Sequence, residues 1–321
     1  DEESFPSKCC GGLLAPDAQK IIAEMGLCAG RDILSGPQLF AVHAIDMEKN
    51  IERFYQRFYI NIDRERFDRW LFSLVPSSVD VIHGALFKGF IRKEDHFEIT
   101  SKKGDESIIC RARIIVGADG ATSLVRRLAF GDKSKIRSYV SIQEWFHTEN
   151  PTPYYAALFD RGVTDFYSWI IPKEDRILLG SAIPVTGKEA QRRFEALKEK
   201  VSRYGYKTGK VIRREGTLIL RPRTSDILTS SHNVALIGEA GGFISPSSAE
   251  GFSYAFRSAI ALAESLRENF GKWEHLYRKK TSHLKMNIAL KNIKSPAMYN
   301  PLLRRIIMGS GIQSIDTQLS N

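Results

Sequence analysis

Two places in this 321-residue chain run an apolar strand into glycines and then into a helix start, and together they constrain its fold more than any other feature. The first is Ile114-Ile115-Val116-Gly117-Ala118-Asp119-Gly120-Ala121-Thr122-Ser123. The second is Val234-Ala235-Leu236-Ile237-Gly238-Glu239-Ala240-Gly241-Gly242, followed by Pro246 and a helix beginning near Ala249-Glu250-Gly251. Glycine permits a tight turn and a close approach of backbone to ligand. A helix N-terminus adds N–H donors and the positive end of a dipole, which suits an anion. Asp119 can accept a hydrogen bond from a ribose or ribityl hydroxyl, and Gly251 lets a planar ring lie close over the first helical turn. Taken alone, each junction also fits a plainer account: an Asx-turn before a helix in the first, small-residue helix packing in the second.

Hydrophobic periodicity fills in the rest. Helices are expected over 16–27, 64–75, 188–204 and 249–266, with a basic helical tail after them. The runs 39–46 and 51–62 flank Glu48-Lys49-Asn50 as a hairpin. Short strands follow one another from 79 to 116 as a meander and again from 139 to 183, with further strands at 216–220 and 233–237. No long repeat is present. The expected fold class is α/β of mixed α+β character, interrupted by β-rich insertions.

Composition removes several functions. No apolar run reaches the roughly 18 residues of a membrane span, and the acidic start Asp1-Glu2-Glu3-Ser4 is no signal peptide. The reading is a soluble, cytoplasmic protein. Four cysteines form no C-x-x-C pair, the adjacent Cys9 and Cys10 resist bridging to each other, and reduced thiols are expected. Seven histidines show no metal-ligand spacing, so no metal site is expected. The net charge of +10 is concentrated in the tail. From Arg267 onward ten basic residues face only Glu268, Glu274 and Asp316, leaving +7 there. With the apolar residues of Pro301-Leu302-Leu303-Arg304-Arg305-Ile306-Ile307-Met308, this charge fits peripheral docking to anionic lipid, or a solvated helix packed by its apolar side. No recognition motif for nucleic acid accompanies it.

Over roughly residues 5 to 270 the chain resembles the FAD-dependent oxidoreductases of the p-hydroxybenzoate hydroxylase fold, and most of all their geranylgeranyl reductase-like branch. Gly-Ala-Asp-Gly-Ala-Thr-Ser-Leu-Val-Arg (117–126) is similar to that superfamily's DG motif, and Gly238-Glu239-Ala240-Gly241-Gly242 with Pro246, Glu250 and Gly251 to its GD motif. Lys8-Cys9-Cys10-Gly11-Gly12 resembles the branch's K-x-CGG, and Tyr167-Ser168-Trp169-Ile170-Ile171-Pro172 its Y-x-W-x-F-P, which lines the substrate cavity. There are departures. The superfamily opens with a βαβ unit carrying G-x-G-x-x-G, which this sequence lacks, so either a fragment or a chain without that pyrophosphate cradle is expected. Glu239 stands where Asp is usual, Trp-x-Ile-Pro also matches flavin halogenases, and Gly180-Ser181-Ala182 departs from G-x-G.

The resemblance implies an FAD/NAD(P)-binding, Rossmann-like domain made of 1–38, 64–136 and 224–270, a β-sheet substrate domain of 39–63 and 137–223, and the helical tail 271–321. Gly117, Asp119, Gly120, Gly238, Glu239, Gly241, Pro246 and Gly251 would bind FAD; Cys9, Tyr167, Trp169 and Pro172 would line a hydrophobic substrate. Cys10, which precedes Gly-Gly, would donate a proton or simply pack. The implied activity is reduction of C=C bonds in an isoprenoid-like molecule by hydride from reduced flavin, with NAD(P)H or a separate reductase as electron source. Two other readings stay open: a flavin monooxygenase or halogenase, and a non-catalytic binding protein without flavin.

Overall fold

The computed structural model describes residues 9–316; Lys8 of the K-x-CGG-like segment lies outside them. In chain order the elements are β1 (Leu13–Leu14), α1 (Pro16–Glu24), β2 (Leu39–Asp46), β3 (Ile51–Asn61), α2 (Arg64–Ser73), β4 (Leu86–Arg92), β5 (Phe97–Lys103), β6 (Glu106–Ala112), β7 (Ile115–Gly117) and α3 (Leu124–Phe130). Then come β8 (Ser138–His147), β9 (Tyr155–Phe159), β10 (Ser168–Lys173), β11 (Arg176–Ile183), α4 (Gly187–Val201), β12 (Val211–Leu220), β13 (Ser230–Ser231) and β14 (Val234–Leu236). The chain continues through α5 (Phe252–Glu268), α6 (Trp273–Lys280), α7 (Ser282–Tyr299), α8 (Pro301–Ser310) and β15 (Ser314–Ile315). Residues divide into two compact units.

The first unit gathers residues 9–74, Ser138–Ile219 and 294–316. Its sheet runs β1-β3-β2-β9-β10-β11-β8-β12, and β15 also pairs with β3. The β2–β3 hairpin turns through Asn50 at φ +51, a left-handed conformation that asparagine tolerates. Strand β9 lies parallel to β2, with Val42 opposite Tyr155. All six residues of β10 and seven of the eight in β11 are buried, so these strands read as apolar runs covered on both faces. Helix α4 presents Phe194, Leu197 and Val201 to Ile45, Phe146, Leu158 and Leu179. That is the heart of this unit's core.

The second unit gathers Val75–Arg137 and Leu220–Ile293. It holds an antiparallel β4-β5-β6 meander and a three-stranded sheet β13-β14-β7. Two expectations need correction. Residues 79–84 form no strand; Val79, Val81 and Ile82 are each about half exposed, with no surface to bury them. Strand β7, expected to close the meander, instead pairs in parallel with β14. Residues 9–38 and 64–74 belong to the same unit as the large sheet, and residues 271–316 are divided between the units at Lys294.

Truncating Phe194, fully buried under α4, removes a large side chain from a closed core. Phe194→Ala should lower unfolding free energy by about 3–5 kcal/mol in urea denaturation.

Candidate functional site

In the second unit the two glycine junctions leave neighbouring strands on the same side. Leu236 of β14 stands opposite Gly117 of β7, and Ile237 N–H donates to the Gly117 carbonyl at 3.0 Å. Both loops therefore issue from the carboxyl ends of adjacent parallel strands, where open α/β sheets bind ligands. The glycines differ in purpose. A Cβ at Gly117 would lie 2.7 Å from Leu236 and 2.8 Å from Val125, and one at Gly241 would lie 2.9 Å from Phe243, so packing demands both. Gly120 at φ +70 and Gly238 at φ +54 satisfy the backbone turn.

Gly251 is required by neither. Its φ is −115°, open to any residue, and the nearest atom to a Cβ there is Ile244 at 3.9 Å. What this glycine preserves is open room at the start of α5, whose 17 residues have no side-chain cap. That room suits a flat, electron-rich group lying against the helix dipole.

The acidic residues of the two loops are tied to the backbone. Asp119 accepts from Leu124 N–H at 2.8 Å, Val125 N–H at 3.1 Å and the Ser123 hydroxyl, so it caps α3. A carboxylate has about four acceptor positions, so one is left for a hydroxyl of a ligand. Glu239 accepts from Leu220 N–H at 3.0 Å. Pro246 is buried, and its carbonyl accepts from Arg221 Nε at 3.0 Å.

Sequence reasoning missed the residue that joins the loops. Arg126, only 3% exposed, donates from Nε to the Ser134 carbonyl at 2.9 Å, from Nη1 to Ala240 at 3.0 Å and from Nη2 to Asp226 at 2.6 Å. Burial pulls its pKa down to about 10, and the nearby Asp226 charge works against that. The arginine was visible in the DG-like stretch, but nothing there told a surface cation from a buried clamp.

In the first unit the Cys-Gly-Gly segment is seated against β10. A Cβ at Gly11 would strike Ile171 at 2.5 Å, and Gly12 sits at φ +61 with the Ile62 carbonyl and Lys173 Nζ within 2.6 Å of where a Cβ would be. Gly12 N–H donates to Cys10 Sγ at 3.4 Å. The Arg64 guanidinium contacts both Cys10 and Asp68; burial opposes its charge, but these partners raise its pKa. Cys9 instead bonds with Ser141, and burial, helped by Glu215 and Cys10, pushes its thiol up to about 12. The two adjacent cysteines thus differ in surroundings: Cys10 lies near Arg64 and Lys173, whereas Cys9 faces Glu215 as well as Arg213.

Lys173 was also missed. It is 6% exposed, and Nζ donates to the Gly12 carbonyl at 3.1 Å, Ile62 carbonyl at 2.7 Å and Asn61 Oδ1 at 2.5 Å. Burial pulls it down to about 7, against the pull of Cys10, Asp63 and Glu174. A lone lysine ending the apolar run Trp169-Ile170-Ile171-Pro172 was the available signal.

Tyr167 and Trp169 do share a side, with ring centroids 5.4 Å apart. Trp169 is buried, its ring lies where a Cβ on Gly180 would be, and its Nε1–H has no partner. Tyr167 also bonds with the buried Tyr155. Pro172 lies near the other end of β10, where its carbonyl accepts from Asn61 Nδ2 at 2.8 Å. Of the expected lining, Trp169 and Pro172 stand about 10 Å apart along β10 at 3.3 Å per residue.

Comparison with solved structures shows where this fold recurs. A geranylgeranyl bacteriochlorophyll reductase-like protein of Thermoplasma acidophilum superposes with a TM-score of 0.79 at 17% identity, covering 94% of this chain and 79% of that one. The flavin-dependent brominase Bmp2 gives 0.71 at 19% identity over 96% and 85%. Klebsiella pneumoniae HpxO, solved with FAD and uric acid, gives 0.66 at 15% identity over 94% and 84%. The fold is thus that of the FAD-binding, Rossmann-like flavoprotein oxidoreductases. No protein-family model matches the chain. Its sequence is 42% identical over 310 residues to Protein CbrA of Escherichia coli O6:H1, covering 96% of this chain and 84% of that protein, and equally identical to the Shigella sonnei protein, of which 87% is covered. The chain belongs to the CbrA family.

Two outcomes follow from the buried cations. Arg126→Met leaves three carbonyls without their donor and should cost about 3 kcal/mol or more in urea unfolding, since bonds to charged groups contribute about 1.5–3 kcal/mol each. For Lys173, the folded pKa near 7 lies below its ordinary 10.5. The folded chain then binds fewer protons than the unfolded one between those values, and stability rises with pH across that window. Wild type should gain on Lys173→Met between pH 6.5 and pH 8.5; a constant difference would mean that the amine stays charged.

Proposed function

We propose that this CbrA-family chain is an FAD-dependent oxidoreductase that reduces C=C bonds of an elongated, hydrophobic, isoprenoid-like substrate. The observation that carries the flavin reading is Gly251: neither its backbone nor its packing requires glycine, and it leaves room at the uncapped start of α5. Gly251 and Pro246 would border the ring, Glu239 and Gly238 the ribityl chain, and Asp119 with Gly120 the dinucleotide half. When bound, FAD supplies two electrons as a hydride, drawn from NAD(P)H or a separate reductase.

The chain's own residues do the rest. Tyr167 and Trp169, packed with Phe166 and Tyr299, would line the substrate with apolar surface that excludes water. The unpartnered Trp169 Nε1–H is available to a polar head on the substrate. Cys10 Sγ, beside Arg64 and the Gly12 N–H, would hold the proton that a reduced alkene takes up. The runner-up is a flavin monooxygenase or halogenase, favoured by the Trp-x-Ile-Pro stretch at 169–172.

Titration of the purified chain with FAD should produce a bound-flavin absorption spectrum. Gly251→Leu should abolish it while leaving the thermal unfolding midpoint unchanged. A chain that stays colourless with FAD defeats the flavin reading and leaves a binding protein of the same fold. With flavin bound, anaerobic saturation of a prenyl alkene, slowed at least tenfold in Cys10→Ala, supports the reductase. Oxygen-dependent NAD(P)H consumption giving hydrogen peroxide or a hydroxylated product supports the runner-up.

A further inference from the structure

Helix α8 is inside out. Its buried face consists of Arg304 and Met308, while Leu302, Leu303, Ile306 and Ile307 point to solvent at 68%, 44%, 67% and 43% exposure. Ile312, just beyond the helix, is 69% exposed. The orientation is held by an ion pair: Arg304 Nε donates to Asp46 Oδ2 at 2.7 Å, with Arg304 4% and Asp46 0% exposed. The guanidinium also lies over the Phe159 ring. Turning the helix to bury its leucines would strand both charges away from water without a partner.

From His275 to Ile315 the sequence has eight Lys and Arg and not one Asp or Glu. Within the unit that carries α8, Arg304 is taken by Asp46, whereas Arg305 on the helix and Lys294 before it are exposed. We infer that the outward face of α8 docks on an anionic lipid surface, its leucines and isoleucines entering the headgroup boundary and the exposed Arg305 and Lys294 meeting lipid phosphates. The helix has ten residues, about 15 Å at 1.5 Å each, half the thickness of a hydrocarbon core. Among the described residues no helix is long and apolar enough to cross a membrane. It would lie in the interface rather than span it. A second copy of the chain fits less well, because a symmetric contact sets like cationic flanks against each other.

The inference does not depend on flavin, and vesicle co-sedimentation of the full chain tests it. The chain should pellet with phosphatidylglycerol/phosphatidylcholine vesicles, remain soluble with phosphatidylcholine alone, and release as salt is raised. The double variant L302Q/I306Q, which alters only exposed positions, should bind about tenfold more weakly with an unchanged circular dichroism spectrum. No binding to anionic vesicles, or binding indifferent to L302Q/I306Q, overturns the inference. So does a concentration-dependent dimer that the same variant dissociates without vesicle binding in the wild type.

Discussion

The buried guanidinium of Arg126 holds together what would otherwise be two unrelated loops. Strands β7 and β14 bring the glycine junctions side by side, but their pairing ends at Gly117 and Leu236, before either loop begins. Beyond that point Arg126 reaches from α3 to the carbonyl of Ala240 in the second loop, and to those of Ser134 and Asp226. A planar fork with several fixed donors can satisfy three carbonyls at once, and a lysine ammonium could not match that geometry. Asp119 and Ser123 complete the arrangement by capping α3, whose first turn would otherwise present bare N–H groups. The loops are thereby tied together by hydrogen bonds within the chain itself, and preorganisation of that kind lowers the ordering cost of binding.

The large-sheet unit uses the same device with a different cation. Lys173 at the end of β10 gathers the carbonyls of Gly12 and Ile62 and the side chain of Asn61, fixing the Cys10-Gly11-Gly12 turn over the strand. In both units a buried cation bonds to neutral oxygens, with no carboxylate bound to it directly. Such a cation pins loops without forming an ion pair, and its cost is desolvation, visible in the lowered pKa of each. Arg304 is the contrasting case: its partner Asp46 is fully buried, and what the pair fixes is the outward direction of an apolar helix face.

Much of this was legible in the residue order. The hairpin around Asn50, the apolar strands β10 and β11, the amphipathic α4 and the strand–glycine–helix junctions all rest on local periodicity or turn chemistry, which a linear sequence carries. The resemblance to the flavoprotein oxidoreductases stood on those junctions and was met by the fold. What failed was of another kind. Val79, Val81 and Ile82 have the composition of a strand but no partner to pair with. Strand β7 took a parallel neighbour more than a hundred positions away, a choice set by which strand ends were adjacent in space.

The sequence by itself therefore determined the element types, the two glycine-rich turns and the concentration of positive charge in the tail, because propensity, backbone freedom and net charge are properties of residues and their near neighbours. The tertiary structure alone decided which glycines are packing necessities and which one leaves room, since that depends on what a Cβ would touch. It also decided that Arg126, Lys173 and Arg304 are buried while Leu302 and Ile306 are exposed. Burial of a charge is settled only when distant backbone oxygens or a distant carboxylate arrive to meet it.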